Sequence, residues 1–262
     1  MIDVSQASDA RIYDYLLGGS DNYPSDRVAA RRLLEIAPNT GELARINRQF
    51  LARAVRHLAG GCGIGQFLDN GSGLPSRDNV HQVARRSNGA ARVVYVDNDP
   101  LVHAHARMML DEENTLILDA DMLETTAVLE QSEQAGFLNR EVPVAALFVD
   151  SLHCVADERD PWGRVRDLMD RLPSGSYLVL SHLASDDVEF RTEASRLMWQ
   201  LTGRQWARIR SFAQVRRFFE GLQPVGGAIG DVARWRAGGE PQLQLELADT
   251  TLVAYGGVAR KP

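Results

Sequence analysis

The stretch Gln66-Phe-Leu-Asp-Asn-Gly-Ser-Gly-Leu-Pro75 constrains the fold more than any other part of the chain. Phe67 and Leu68 read as a short buried strand. An acid follows, then a turn with two glycines, where the backbone reverses sharply and a ligand approaches closely. A strand feeding such a turn and then a helix is the nucleotide-binding corner of an open α/β sheet. Gly71-x-Gly73 alone is a weak signal, since most such pairs are ordinary turns. Its weight comes from Arg92-Val-Val-Tyr-Val-Asp97, a second strand ending in an acid 24 residues after Gly73. An acid about 20 residues downstream is the ribose ligand of such corners.

The remaining chain alternates in the same way. Thr115 to Ala120, Val144 to Asp150 and Tyr177 to Ser181 read as further strands, and Val144 to Val149 has the unbroken apolar character of a central parallel strand. Helices are expected over Pro100–Leu110, about Thr126–Gln134, Trp162–Leu172, 187–203 and 211–219. Gln223 to Ile229 and Leu252 to Val258 suit an antiparallel closing pair. Alternation of this kind gives a parallel sheet, here mixed at one edge. Ahead of the first strand, Leu43, Ile46, Phe50, Leu51, Val55 and Leu58 lie on one helical face. Ser25 and Ser76 are the expected helix caps of their regions, and Gly60-Gly61 is the expected stop of the helix after Thr40. Residues 1–10 read as a loose tail. Tyr13, Tyr15 and Tyr23 around Gly18-Gly19 read either as a lid or as aromatic packing of that tail onto the core.

Size and composition narrow the class. A chain of 262 residues, 44% hydrophobic and 24% charged, suits one soluble globular domain with a small appendage. No apolar run approaches the ~20 residues of a membrane span. Met1 to Gln6 lack the layout of a secretion signal. Cys62 and Cys154 are expected as free thiols in a reducing cytoplasm. The net charge of −6 argues against nucleic acid as a partner; the arginines at 31–32, 85–86 and 208–217 are expected on solvated helix faces.

Asp69, Asp97 and Asp121 stand at the ends of three successive strands, the edge where open α/β sheets bind ligands. Asp97 can accept from both hydroxyls of an unphosphorylated ribose. Asp121 is placed for an exocyclic amine such as adenine's, and Asp69 for a cationic amino group. The pattern suits adenosine with an ammonium-bearing tail. Pro75 or Ser76 stands where a dinucleotide fingerprint needs its third glycine, and no Walker lysine is present, which disfavours NAD and ATP.

The chain resembles the class I S-adenosylmethionine-dependent methyltransferases, and more narrowly an actinobacterial family of S-adenosyl methyltransferases. The marks are Tyr13 to Gly19, Asp21 to Tyr23, Gly73 to Pro75, Val94 to Pro100, Gly175 to His182 and Ala233 to Arg236, spread over nearly the whole chain. The resemblance implies a Rossmann-like α/β fold: a mixed seven-stranded sheet, strand seven antiparallel, with helices on both faces. It implies an N-terminal helical segment (1–60) packed on a cofactor-binding core (61–262).

It also implies S-adenosylmethionine as cofactor. The site would be shared by the glycine turn (Asp69, Asn70, Gly71, Gly73, Leu74, Pro75), Asp97-Asn98, Asp121-Met122, the loop after strand four (Asp150, Ser151) and the N-terminal segment (Tyr13, Tyr15, Gly19, Asn22, Tyr23). Asn70 departs from the aliphatic residue expected in the turn, and Asp150 from a small apolar one.

The expected activity is methyl transfer to a small molecule, with a donor-binding sensor or scaffold, or an NAD-dependent oxidoreductase, as alternatives. His153 and His182 are the candidate bases, each set against a merely packed imidazole. His57, His81, His103 and His105 are expected on helix surfaces. No metal is expected, because the Cys and His residues offer no four-ligand set. A homodimer is compatible with the sequence, which does not reveal the oligomeric state.

Overall fold

The computed structural model of the protein describes residues 3–76, 78–109, 113–203, 206, 208–236 and 251–262. Among these, seven strands form one sheet: β1 (Gln66–Asn70), β2 (Arg92–Asp97), β3 (Thr115–Asp119), β4 (Ala145–Val149), β5 (Tyr177–Ala184), β6 (Gln223–Asp231) and β7 (Val253–Arg260). Their spatial order is β3-β2-β1-β4-β5-β7-β6. β1 pairs in parallel with both β2 and β4, so the chain runs outward on one side of β1 and then returns to begin the other. That reversal is the switch point at which open α/β sheets bind ligands. β7 runs antiparallel between β5 and β6, as the closing pair anticipated.

Consecutive strand residues are apolar because both faces are covered. Phe67, Val93, Leu147 and Val179 enter one apolar layer, and their neighbours Leu68, Val94, Phe148 and Leu180 enter the other. The first layer is filled from α1 (Asp9–Leu16), α2 (Pro24–Ile36), α3 (Thr40–Arg56), α4 (Val80–Ser87) and α8 (Val188–Leu201). The second takes Val128 and Leu129 of α6 (Thr125–Gln134), Val165 and Leu168 of α7 (Pro161–Arg171) and Val215 of α9 (Phe212–Arg216). The expected face of α3 is the buried one, with Leu43, Ile46, Phe50, Leu51 and Val55 against the sheet. The remaining helix, α5 (Pro100–Met109), follows β2.

Several local expectations are corrected. Pro24 opens α2 with its ring-locked φ, and the Asp26 carboxylate accepts the Tyr23 N–H at 2.7 Å, so Ser25 is not the cap; its hydroxyl donates to Val4 O. α4 starts at Val80, not Ser76, because Asn79 accepts from Ser76 N while Gln82 accepts from Asn79 N. α3 gives way at His57 to a wider turn that carries the chain through Gly60-Gly61.

The segment before α1 is not loose. Asp26, fully buried, accepts from Ser8 N (3.0 Å) and Arg11 Nε (3.1 Å), and Arg11 also donates to Gln6 O. With Ile12 buried in the first apolar layer, α1 is part of the core.

Candidate functional site

The C-terminal ends of β1, β2 and β4 open into a cavity. The glycine turn is its floor, and α1 and α3 wall the opposite side. The enclosed part holds about 180 Å³, and it joins a wider cleft of about 650 Å³ along the β2 and β3 ends through shared residues Gly71, Asp97, Asn98 and Met122. The crevice is therefore open for a nucleoside with a tail.

The floor is built by close approach. Gly71 (φ +73°) and Gly73 (φ +65°) occupy the left-handed region. A Cβ on Gly71 would stand 2.5 Å from Ser151 Cβ and 3.2 Å from Met122 Sδ, so a side chain there would fill the cradle. The turn's amides face inward. Gly71 N and Ser72 N donate to Val96 O (2.8 and 3.2 Å), and Gly73 N donates to Asp97 Oδ2 (2.9 Å). A pyrophosphate cradle would turn such amides toward the ligand, so this floor favours a nucleoside without phosphates.

Asp97 accepts from Gly73 N and, through Oδ1, from Asp99 N (2.9 Å); burial raises its pKa against those two hydrogen bonds. Each oxygen keeps a second lone pair for a hydroxyl of the ligand. Asp69 is 6% exposed, and burial pushes its carboxyl up to about 7, with Arg48 opposing. A carboxyl at such a cost to ionise suits a cation brought by a ligand. Asp121 and Met122 face the wider cleft, where Asp121 Oδ2 already accepts from Arg159 at 2.6 Å.

Tyr13, Asn98, Leu74, Asp150 and Ser151 also line the enclosed cavity. Tyr13 donates to Ala44 O and accepts from Asn47, whose Oδ1 accepts from Ser181. Burial holds the Tyr13 phenol well above its usual range.

The other anticipated residues stand behind the wall. Asn70 is fully buried and donates to Leu147 O (3.2 Å), tying β1 to β4, while Ser151 Oγ donates to Asn70 O. Pro75 borders a small side compartment with Arg48 and Tyr95. Asn22 donates to Asp14 Oδ2 at 2.7 Å, and Gly19 lies so close to that carboxylate that a Cβ would reach 2.0 Å from its Oδ1. Together they aim Asp14, which does line the cavity. Tyr15 packs on the first apolar layer, and Tyr23 lies under the Arg11 guanidinium.

The histidines divide sharply. His153 is 2% exposed and wedged between carboxylates, with Nε2 2.9 Å from Asp9 and Nδ1 3.4 Å from Asp150. Burial works against its charged form, yet Asp9 and its other neighbours prevail and hold its pKa well above the ordinary value. His182 is the reverse: burial and the guanidinium of Arg210 keep it neutral, and its Nε2 faces Arg210 at 2.7 Å.

His81 and His103 correct the surface expectation. Both are buried, His81 Nδ1 against Tyr95 Oη (2.8 Å) and His103 Nε2 against Asp97 O (2.9 Å). Arg210 is likewise not a solvated arginine: it is 1% exposed and donates to Leu152 O, Val155 O and Asp157. The donor atoms of Asp9, His153 and Cys154 lie within 4.8 Å of one another. Since the imidazole already bonds Asp9 and burial lifts the Cys154 thiol to about 12, the group reads as a hydrogen-bonded cluster.

Asp9, Asp14, Asn47, Arg48 and Leu51 line the cavity without having been anticipated. They come from α1 and α3; Asp14 lies inside the Tyr13 to Gly19 block, and no local motif marks the other four.

This fold and crevice define an α/β methyl-donor enzyme of the class I type, and comparison with known proteins places it more narrowly. The sequence matches the profile of the S-adenosyl methyltransferase family over residues 1–262. A DUF574 family protein of Streptomyces avermitilis MA-4680 is 36% identical and superposes with a TM-score of 0.89, each chain covered in full. A candidate methyltransferase of Thermobifida fusca YX is 35% identical (TM-score 0.89), over 99% of this chain and 96% of that one. The plantazolicin methyltransferase BamL, solved with S-adenosylhomocysteine and a triazolic desmethylplantazolicin analogue, shares the fold at 10% identity (TM-score 0.56, 97% and 96% covered). No curated protein matches the chain. The chain belongs to the S-adenosyl methyltransferase family, and its cofactor is S-adenosylmethionine. Among the described residues, no helix is long and apolar enough to cross a membrane.

Proposed function

We propose that the protein transfers the methyl group of S-adenosylmethionine to a small-molecule acceptor in the cytoplasm, and that the cavity between the glycine turn and α1 is where donor and acceptor meet. The observation that carries this reading is the floor of the crevice: two left-handed glycines, amides turned inward and carboxylates facing out. Asp97 holds the ribose hydroxyls through its remaining lone pairs. Asp121 and Met122 border the adenine. Asp69 takes the donor's ammonium, which offsets the cost of ionising a buried carboxyl. Arg48, the cation in this wall, meets the donor's carboxylate. Bound S-adenosylmethionine supplies a methyl already activated by its sulfonium.

The chain's own work is then alignment and exclusion of water. Tyr13, Leu17 and Leu51 close the cavity from the helical side, and Val149 closes it from the β4 end. His153 and His182 are too deeply buried to touch an acceptor; His153 acts through Asp9 and Asp150, and neutral His182 supports Arg210.

Calorimetry with S-adenosylmethionine and S-adenosylhomocysteine tests the donor site, with micromolar-scale binding expected and no heat from NAD. Release of S-adenosylhomocysteine on incubation with an acceptor library separates transfer from mere donor binding. A protein that binds the donor and turns over nothing would be a sensor or scaffold.

A further inference from the structure

With the donor assigned to Asp69, Asp97 and Asp121, three carboxylates of the enclosed cavity remain: Asp9 and Asp14 on α1, and Asp150 at the end of β4. Asp9 and Asp150 flank one buried imidazole, His153, and both line the cavity. Asp14 is held from behind by Asn22. Among the described lining residues the cationic side chain is Arg48, and it lies toward the glycine turn, where it shares a side compartment with Asp69, Ser72 and Gly73 and donates to Asp78 O.

A second observation points to a ligand at the same end. Ser8 Oγ, on a cavity-lining residue 7% exposed that precedes Asp9, is a buried polar atom with no hydrogen-bond partner. The carboxylates are hydrogen-bond acceptors without a donor from the protein for each lone pair. Leu17, Leu51 and Val149 supply an apolar wall beside them.

We propose that this end of the cavity takes the acceptor as an amine on an apolar stem, with Asp9 and Asp150 as its ammonium anchor; the inference rests on the donor reading above. The bound acceptor would arrive as R–NH3+ and lose one proton to solvent, leaving R–NH2 hydrogen-bonded to the carboxylates. The nitrogen lone pair attacks the sulfonium methyl. An N–C bond forms as the C–S bond breaks, and the bonding pair stays on sulfur, giving S-adenosylhomocysteine and R–NH2–CH3+. The later loss of one proton from R–NH2–CH3+ to solvent gives the neutral methylamine. Half-buried carboxylates select the cationic acceptor and disfavour an anionic one of the same shape.

The test uses three probes matched in shape: benzylamine, benzyl alcohol and phenylacetate. Each is titrated into protein saturated with S-adenosylhomocysteine, and methyl transfer from labelled S-adenosylmethionine is followed in parallel. Benzylamine is expected to bind in preference to the other two. Asp150→Asn and Asp9→Asn should each weaken that binding at least about tenfold, the scale of one charge-assisted hydrogen bond. Asn tolerates the left-handed φ of 56° at position 150, so the first variant keeps its backbone. Glu189→Gln, on the exposed first turn of α8, should change nothing.

No preference for benzylamine among the three probes, or unchanged binding in both variants, overturns the proposal. Failure of S-adenosylhomocysteine itself to bind would instead overturn the donor reading.

Discussion

The strand ends that carry Asp69 and Asp97 and the helical cover that carries Asp9, Tyr13 and Arg48 face each other across one cavity, yet they are built by opposite means. The strand side is local. Gly71 to Gly73 and Asp97 are fixed by bonds between neighbouring strands, Gly71 N and Ser72 N to Val96 O and Gly73 N to Asp97. The cover is assembled at long range: Tyr13 meets Ala44 and Asn47, Asp9 meets His153, and Asn39 reaches Leu252 O. The strand side can specify a donor by motif, whereas the cover can vary with the acceptor while the donor chemistry stays in place.

The sharpest way to break this division is to release the cover. Arg11 and Asp26 form an ion pair with side chains 3% and 0% exposed, and Asp26 also accepts from Ser8 N and Tyr23 N. Arg11→Ala leaves that carboxylate buried and uncompensated, which is expected to cost ~3–5 kcal/mol of folding stability in chemical denaturation. A loss below 1 kcal/mol would mean that α1 is only loosely attached.

Asp97→Ala acts on the other side. Donor affinity should fall by ~2–4 kcal/mol, the scale of a lost pair of charge-assisted hydrogen bonds, in the same calorimetry that tests binding. Unchanged affinity would remove the ribose assignment.

Asp69 sharpens the comparison through pH. Its folded pKa, raised to about 7 from 3.8, means that the free protein loses stability as pH rises from about 4 to about 7, because the unfolded chain's carboxyl ionises there while the buried one stays protonated. An ammonium ligand reverses the preference, so donor affinity should climb as pH rises through about 7. Asp69→Asn should flatten both profiles, and a variant retaining the slopes would assign them to another group.

The smallest effect belongs to Tyr13→Phe. Losing one buried hydroxyl between Ala44 O and Asn47 should cost about 1 kcal/mol of stability, with a modest loss of donor affinity read beside it. A large loss of binding would make Tyr13 a direct ligand.

The same contrast explains how far the sequence could be read. The sheet, its switch point and the glycine turn were legible because period, turn residues and acid spacing are local properties. The antiparallel β7 was legible as well, since Leu252 to Val258 has strand character. The roles of His81, His103 and Arg210 were not. Each is a polar side chain that becomes buried only because a partner arrives from elsewhere: Tyr95 Oη for His81, Asp97 O for His103, and the carbonyls at 152 and 155 for Arg210. Ser25 and Ser76 show the limit for helix caps. A serine near a helix start is a good cap until Pro24 opens the helix one residue earlier, as in α2, or Asn79 caps it later, as in α4. Arg48 was hidden among the arginines of an amphipathic helix, with nothing in its neighbours to single it out.

The approach of Gly71 to Ser151 ties two positions 80 residues apart into one mutational unit. A methyl group can be added at 71 only if atoms are removed at 151, and a bulkier residue at 151 would press on the turn itself. Relatives should therefore change the two together or not at all, and an engineer who wants a roomier acceptor end has freer choices on α1 than at the sheet edge.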